Sequence, residues 1–148
     1  MIYEIKQDGK FKYIEEGNGE PLLLLHGLFG ALSNFAHLIE YFNKSYKVVV
    51  PMLPLLDLDL LHTSVGGLQK FVHKFIENRN YTSINLLGNS LGGHVALVHI
   101  LKHPERIKSL TLTGSSGLFE SGMGDTYPKR GDKEYIRNKT ALTFYDPA

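Results

Sequence analysis

Gly88-Asn89-Ser90-Leu91-Gly92 is the stretch of this sequence best equipped to do chemistry. A serine hydroxyl works as a nucleophile when it is free of other duties and a base can take its proton. Gly-x-Ser-x-Gly meets the first condition when a strand runs into it and a helix runs out, because the serine then stands on a sharp turn with its hydroxyl projecting from the sheet. Both flanks have that character: Ile84, Leu86 and Leu87 read as a buried strand, and Val95, Ala96, Leu97, Val98, Ile100 and Leu101 as a helix. Gly88 and Gly92 keep side chains out of the space where strand and helix start come closest. With Ser90 at the helix N-terminus, the Leu91 N–H has no intrahelical acceptor and can face an oxyanion.

A base is harder to find. His26, in His26-Gly27-Leu28-Phe29-Gly30, is read as holding that turn together rather than moving protons. His94 falls about one helical turn after Ser90, a packing position. His37, His62, His73, His99 and His103 are assigned to helix faces or loops, with surface or packing roles. His94 and His99 are five apart, and no histidine pair is read as a zinc site, so no metal is expected. Asp125, Asp132 and Asp146 are the acids that could orient a base, but none directly follows a strand. The glycine-rich turns lack both the Gly-Lys-Ser/Thr of a P-loop and Gly-x-Gly-x-x-Gly, which argues against nucleotide binding. No cofactor is expected.

The elements that must position these residues follow from hydrophobic pattern. Ile2–Lys6 and Phe11–Glu15 read as strands joined at Asp8-Gly9, a strong hairpin signal. Leu22-Leu23-Leu24-Leu25 and Val48-Val49-Val50 are unbroken apolar runs, as expected of strands buried on both faces of a parallel sheet. Between them Phe35, Leu38, Ile39 and Phe42 have helical spacing, with Ser33 or Asn34 as cap. Residues 51–64 form an excursion, followed by a helix carrying Leu68, Phe71, Val72, Phe75 and Ile76, capped by Ser64 and ended by Asn78-Arg79-Asn80. After the elbow, the helix stops at His103 before Pro104, and Ile107–Thr113 is a further strand. Residues 118–148 read as a loop and a helix from Asp132 to Tyr145. The fold class is therefore α/β: a mostly parallel sheet flanked by helices, with an antiparallel N-terminal hairpin.

With 148 residues the chain can bury a substantial core, and 43% apolar with 21% charged residues is ordinary globular composition. A net charge of +1 gives no reason to expect nucleic acid. There are no cysteines, which removes disulfides, thiolate metal sites and a cysteine nucleophile. The N-terminal residues lack the apolar core of a signal peptide, and no apolar run approaches the roughly 20 residues of a membrane span. A cytoplasmic location is expected.

Three segments together resemble the α/β-hydrolase family: Leu24-Leu25-His26-Gly27-Leu28-Phe29-Gly30, Leu87 through His94, and His103 through Leu110. Their order and spacing are similar to that family's third strand, its fifth strand with nucleophile elbow, and the approach to its sixth strand. The resemblance implies that Ser90 is the nucleophile of a serine hydrolase acting on an ester or a carbon–carbon bond. It also implies an oxyanion hole made by the N–H groups of Leu91 and Leu28, with Phe29 ranked behind Leu28. His26, Gly27, Gly88 and Gly92 would support these turns. Residues 1–117 match the N-terminal part of the family's core, and 118–148 the start of its cap. Two departures matter. The family's catalytic histidine follows an eighth strand, beyond the sixth strand at which this chain stops matching, so the chain alone is expected to be inactive. The Asp-x-x-Gly-x-Gly-x-Ser pattern after the fourth strand is replaced by Pro51-Met52-Leu53-Pro54-Leu55-Leu56-Asp57-Leu58-Asp59. The competing expectation is a non-catalytic module that uses the fold for binding or self-association. A small-molecule substrate is expected of the full-length form. Residues 107–113, as an unpaired apolar edge, or the C-terminal tail, would support a homo-oligomer.

Overall fold

The computed structural model describes residues 3–28, 32–55, 64–118 and 134. The chain divides into two compact units, Met1–Leu118 and Phe119–Ala148. The sheet, its helices and Ser90 belong to the first. The helix expected over Asp132–Tyr145 and the middle of the excursion after Pro51 lie outside the described residues, Glu134 apart.

Among the described residues six strands form one sheet: β1 (Lys6–Asp8), β2 (Phe11–Glu16), β3 (Glu20–Leu25), β4 (Tyr46–Pro51), β5 (Ile84–Asn89) and β6 (Ile107–Thr113). Their spatial order is β1-β2-β4-β3-β5-β6. β1 and β2 pair antiparallel, as do β2 and β4, whereas the pairs β4–β3, β3–β5 and β5–β6 are parallel. The helices are α1 (Ala36–Phe42), α2 (Val65–Asn78) and α3 (Leu91–Lys102).

The unbroken apolar runs are explained by the way the sheet is covered. Successive side chains of a strand point to opposite faces. Leu23, Leu25 and Val49 join Val72, Phe75, Val95 and Ala96 in the core beneath α2 and α3. Leu22, Leu24, Val48 and Val50 join Phe35 and Ile39 in the core beneath α1. Both faces are dry, so no position in Leu22–Leu25 can be polar without leaving an unpaired group in a core.

α2 begins and ends on local signals. The Ser64 Oγ accepts a hydrogen bond from the Gly67 N–H at 3.1 Å, as the cap reading expects. At the other end Asn80 adopts a left-handed conformation, φ 54°. The Asn80 N–H then donates to the Glu77 carbonyl at 2.9 Å and the Tyr81 N–H to that of Ile76 at 3.1 Å, the paired bonds of a Schellman closure. The buried Tyr81 and Ile76 side chains lie in one core cluster and complete it.

Two expectations are corrected. The opening hairpin is shifted: β1 is Lys6–Asp8 rather than Ile2–Lys6, and the turn is Gly9-Lys10 rather than Asp8-Gly9. Register follows burial here, since Phe11 and Tyr13 are buried while Ile5 is half exposed. Gly9 supplies the positive φ, 55°, at the first turn position. The cap position of α1 falls on Phe35 rather than on Ser33 or Asn34. Residues Leu32–Phe35 form a 3-10 turn, and Phe35 sits at the cap position without a side-chain cap bond. Burial of Phe35 and Ile39 under the sheet anchors this helix instead.

β6 has only β5 as a partner among the described strands. Its edge is amphipathic rather than uniformly apolar. Ile107, Leu110 and Leu112 turn toward the core under α2 and α3, while Lys108, Ser109, Thr111 and Thr113 are exposed. Lys108 Nζ reaches Glu20 on β3 at 2.7 Å, and the Ser109 hydroxyl donates to Asn85 Oδ1 at 2.7 Å.

Candidate active site

β5 delivers Ser90 to the C-terminal end of the sheet, and α3 starts at the next residue. Ser90 has φ 53° and ψ −118°, and among the described non-glycine residues only Asn80 shares a positive φ. Such a conformation typically costs about 1–3 kcal/mol and persists only when surrounding structure imposes it. The imposing contacts are specific. The Ser90 N–H donates to the Thr113 carbonyl at the end of β6, at 3.0 Å. The Ser90 carbonyl accepts from the N–H groups of Gly93 at 3.0 Å, His94 at 3.2 Å and Ser116 at 3.4 Å. Asn89 adds two bonds from its amide, to the Thr113 carbonyl at 3.1 Å and to the Thr113 hydroxyl at 3.0 Å.

A serine at a helix N-cap usually folds its hydroxyl back to accept from the second or third helical N–H. Ser90 makes no such cap bond. The left-handed backbone aims the side chain elsewhere, and the residue is exposed. The glycines are required by close approach. A Cβ on Gly88 would lie 2.6 Å from the Gly92 carbonyl oxygen, and one on Gly92 would overlap the Leu25 carbonyl. Gly88 thus lets β5 touch the start of α3, and Gly92 lets α3 touch the end of β3.

The loop after β3 packs against the serine: a Cβ on Gly27 would be 3.1 Å from the Ser90 Cβ. His26 fixes this loop. The Leu53 N–H donates to His26 Nε2 at 3.1 Å, so Nε2 carries no proton, and Nδ1, 2.9 Å from the Gly27 carbonyl, is the protonated donor. Both ring nitrogens are committed, which leaves none to accept a proton from Ser90. Leu28 follows at the exposed tip, and Phe29 lies outside the described residues. The His94 ring packs under Gly117, whose Cβ would lie 2.5 Å from the ring. Among the described residues, no histidine hydrogen-bonds the Ser90 hydroxyl. Asp125, Asp132, Asp146 and His62 lie outside those residues.

Architecture and elbow together define the family. Residues 20–143 match the family model described as the alpha/beta hydrolase fold. The chain belongs to the α/β-hydrolase family. Within it, the chain is 31% identical over 140 residues to Lipase 1 of Psychrobacter immobilis, covering 90% of this chain and 43% of that protein. It is also 31% identical to 2-hydroxy-6-oxo-6-(2'-aminophenyl)hexa-2,4-dienoic acid hydrolase of Metapseudomonas resinovorans, over 72% of this chain and 39% of that enzyme. Among solved structures, an alpha/beta hydrolase enzyme from a sediment metagenome of the Mar Chica lagoon, Morocco, superimposes with a TM-score of 0.76 at 44% identity. That match covers 94% of this chain and 63% of the solved one. The chain thus spans about two fifths of the length of these curated α/β-hydrolases.

One cluster escapes the sequence reading. His73 on α2 and His99 and His103 at the end of α3 come together, one ring nitrogen of each within 4.8 Å of the other two. The sequence carries part of the signal: His99 and His103 are four apart, about one helical turn. His73 joins only because α2 packs on α3, which spacing along the chain cannot show. His99 is fully buried. Burial, with His103 and His73 beside it, pushes its pKa down to about 4, so the ring is neutral at neutral pH.

The strain at Ser90 can be measured. Ser90→Gly removes the steric penalty of φ 53°, whereas Ser90→Ala keeps it. Ser90→Gly is expected to be more stable than Ser90→Ala by about 1 kcal/mol in urea unfolding. Equal stabilities would mean the turn is relaxed.

Proposed function

We propose that Ser90 is the nucleophile of a serine hydrolase acting on a carboxylic ester. The observation that carries this reading is the exposed Ser90, held at positive φ with its hydroxyl released from helix capping. The names of two relatives, a lipase and a hydrolase of a 2-hydroxy-6-oxo-hexadienoic acid, fit an acyl-transfer chemistry with a serine nucleophile. In this reading Ser90 Oγ attacks the ester carbonyl carbon while an imidazole takes its proton. The carbonyl oxygen becomes an oxyanion received by the N–H groups of Leu91 and Leu28. Collapse expels the alcohol, which takes the proton back from the imidazole, and water then releases the acid from Ser90 by the same route. Each preorganised N–H donor is typically worth about 3 kcal/mol in such a step. Leu28 is preferred to Phe29 because the loop it closes is fixed by His26 and rests on Ser90 through Gly27.

The base is assigned to the histidine that follows the family's eighth strand, in the part of the relatives that this chain does not span, since His26 is fully bonded. The 148-residue chain is therefore expected to turn over esters poorly. A fluorophosphonate probe followed by peptide mass spectrometry tests this on two proteins, the present chain and a version extended to the length of its relatives. Rapid labelling of Ser90 in the extended protein and slow labelling here is the expected outcome. Absence of labelling in both would remove the nucleophile and leave a binding module.

We further propose that the outer edge of β6, which no described strand pairs, takes a strand of a second copy. Light scattering of the present chain is expected to report a dimer with slow amide exchange over 107–113. A monomer with fast exchange there overturns the assignment.

A further inference from the structure

The three histidines lie far from the proposed nucleophile. His99 is nine residues down α3 from Ser90, roughly 14 Å along the helix axis. Nothing in the ester chemistry uses them. Their arrangement has the parts of a ligand set. His99 Nε2 and His73 Nδ1 are buried and have no hydrogen-bond partner among the described residues. Leaving a buried polar atom unpaired is costly, so a fully buried ring whose free nitrogen faces two other imidazoles calls for an occupant.

One nitrogen of each ring is approached by an orienting group. His73 Nε2 is 3.5 Å from Glu77 Oε1, and His103 Nδ1 is 3.9 Å from Glu105 Oε1. His99 Nδ1 is 3.3 Å from the Gln69 amide. Histidine ligands characteristically bond an outer carboxylate or carbonyl with the nitrogen that does not bind the metal, which fixes tautomer and ring direction. Here that leaves His73 Nδ1, His99 Nε2 and His103 Nε2 for a common guest.

We propose that His73, His99 and His103 bind one first-row divalent cation of the imidazole-preferring class, with zinc as its representative, clamping α2 to α3. Three neutral nitrogens suit such an ion and would leave a fourth position to water or to Glu77 or Glu105. The cationic neighbours are Lys102, whose Nζ donates to Gln69 Oε1 at 3.2 Å, and Arg106. The two carboxylates offset them.

Binding requires defined movements. Tetrahedral ligand nitrogens around zinc lie roughly 3.4 Å apart, and one nitrogen of each ring already lies within 4.8 Å of the other two, so the rings have only to close a short distance. The His73 and His103 rings, stacked at 3.8 Å and 12°, must swing open, because parallel rings cannot aim two lone pairs at one point. Both are only partly buried. As placed, the Gln69 amide nitrogen donates to His99 Nδ1, which puts the His99 proton on Nε2. The ion takes Nε2, so that proton moves to Nδ1 and the Gln69 amide turns to accept it, releasing the exposed Lys102.

The test uses the untagged 148-residue chain, zinc calorimetry and long-range 1H–15N spectra of the imidazoles. Expected are one zinc per chain, shifts confined to His73, His99 and His103, and transfer of the His99 proton from Nε2 to Nδ1. The double variant His73→Gln/His103→Gln is expected to abolish saturable binding, and Glu105→Gln to weaken it roughly tenfold. Absence of saturable binding, or affinity unchanged in the double variant, overturns the proposal. Glu105 is exposed, so that variant decides even if the double variant unfolds: zinc affinity equal to wild type overturns the orienting set on which the site depends.

Discussion

The turn at Ser90 depends on a backbone carbonyl that three N–H groups share. Gly93 and His94 tie the Ser90 carbonyl to the first turn of α3, and Ser116 ties it to the loop after β6. The Ser90 N–H is held by Thr113 at the end of β6. A residue bonded on both sides to two different elements cannot relax to negative φ without losing several bonds at once. That is how a few kcal/mol of backbone strain is retained. The consequence for chemistry is direct, because the strain turns the hydroxyl away from the helix N–H groups that would otherwise occupy it.

This dependence explains why the elements around the elbow are so closely fitted. β3 must end beside the start of α3 for His26 and Gly27 to reach Ser90, and only glycine at 92 permits the contact with the Leu25 carbonyl. β6 must end level with Asn89, and its register places Thr113 opposite Asn89. The Asn89 amide then bonds both polar oxygens of Thr113, locking the ends of β5 and β6 together. The dry cores on both faces keep β3, β4 and β5 from shifting register, since a slip of one residue would exchange the α1 and α2/α3 faces of every strand.

Much of this was legible in the sequence because it was written in local or periodic signals. Leu22–Leu25, Val48–Val50, the Ser64 cap and Gly88-Asn89-Ser90-Leu91-Gly92 each carry their structural meaning within a few residues. The failures have a common cause. The hairpin turn moved by one residue because burial of Phe11 and Tyr13 fixes register, and burial depends on α2. Helix α1 has no side-chain cap because its anchor is the sheet beneath Phe35 and Ile39. The histidine cluster joins α2 to α3, and the third ring is supplied by packing between helices far apart in sequence. His26 is intermediate: its loop was readable, but its fixed tautomer depends on the N–H of Leu53, 27 residues away.

Residues of this chain build the whole elbow, independent of where a base comes from. Backbone couplings and amide exchange at Ser90 in the 148-residue protein test that most directly. The account predicts a positive φ at Ser90 in solution, with its N–H among the slowly exchanging amides because Thr113 holds it. A negative φ or a freely exchanging Ser90 amide would contradict it.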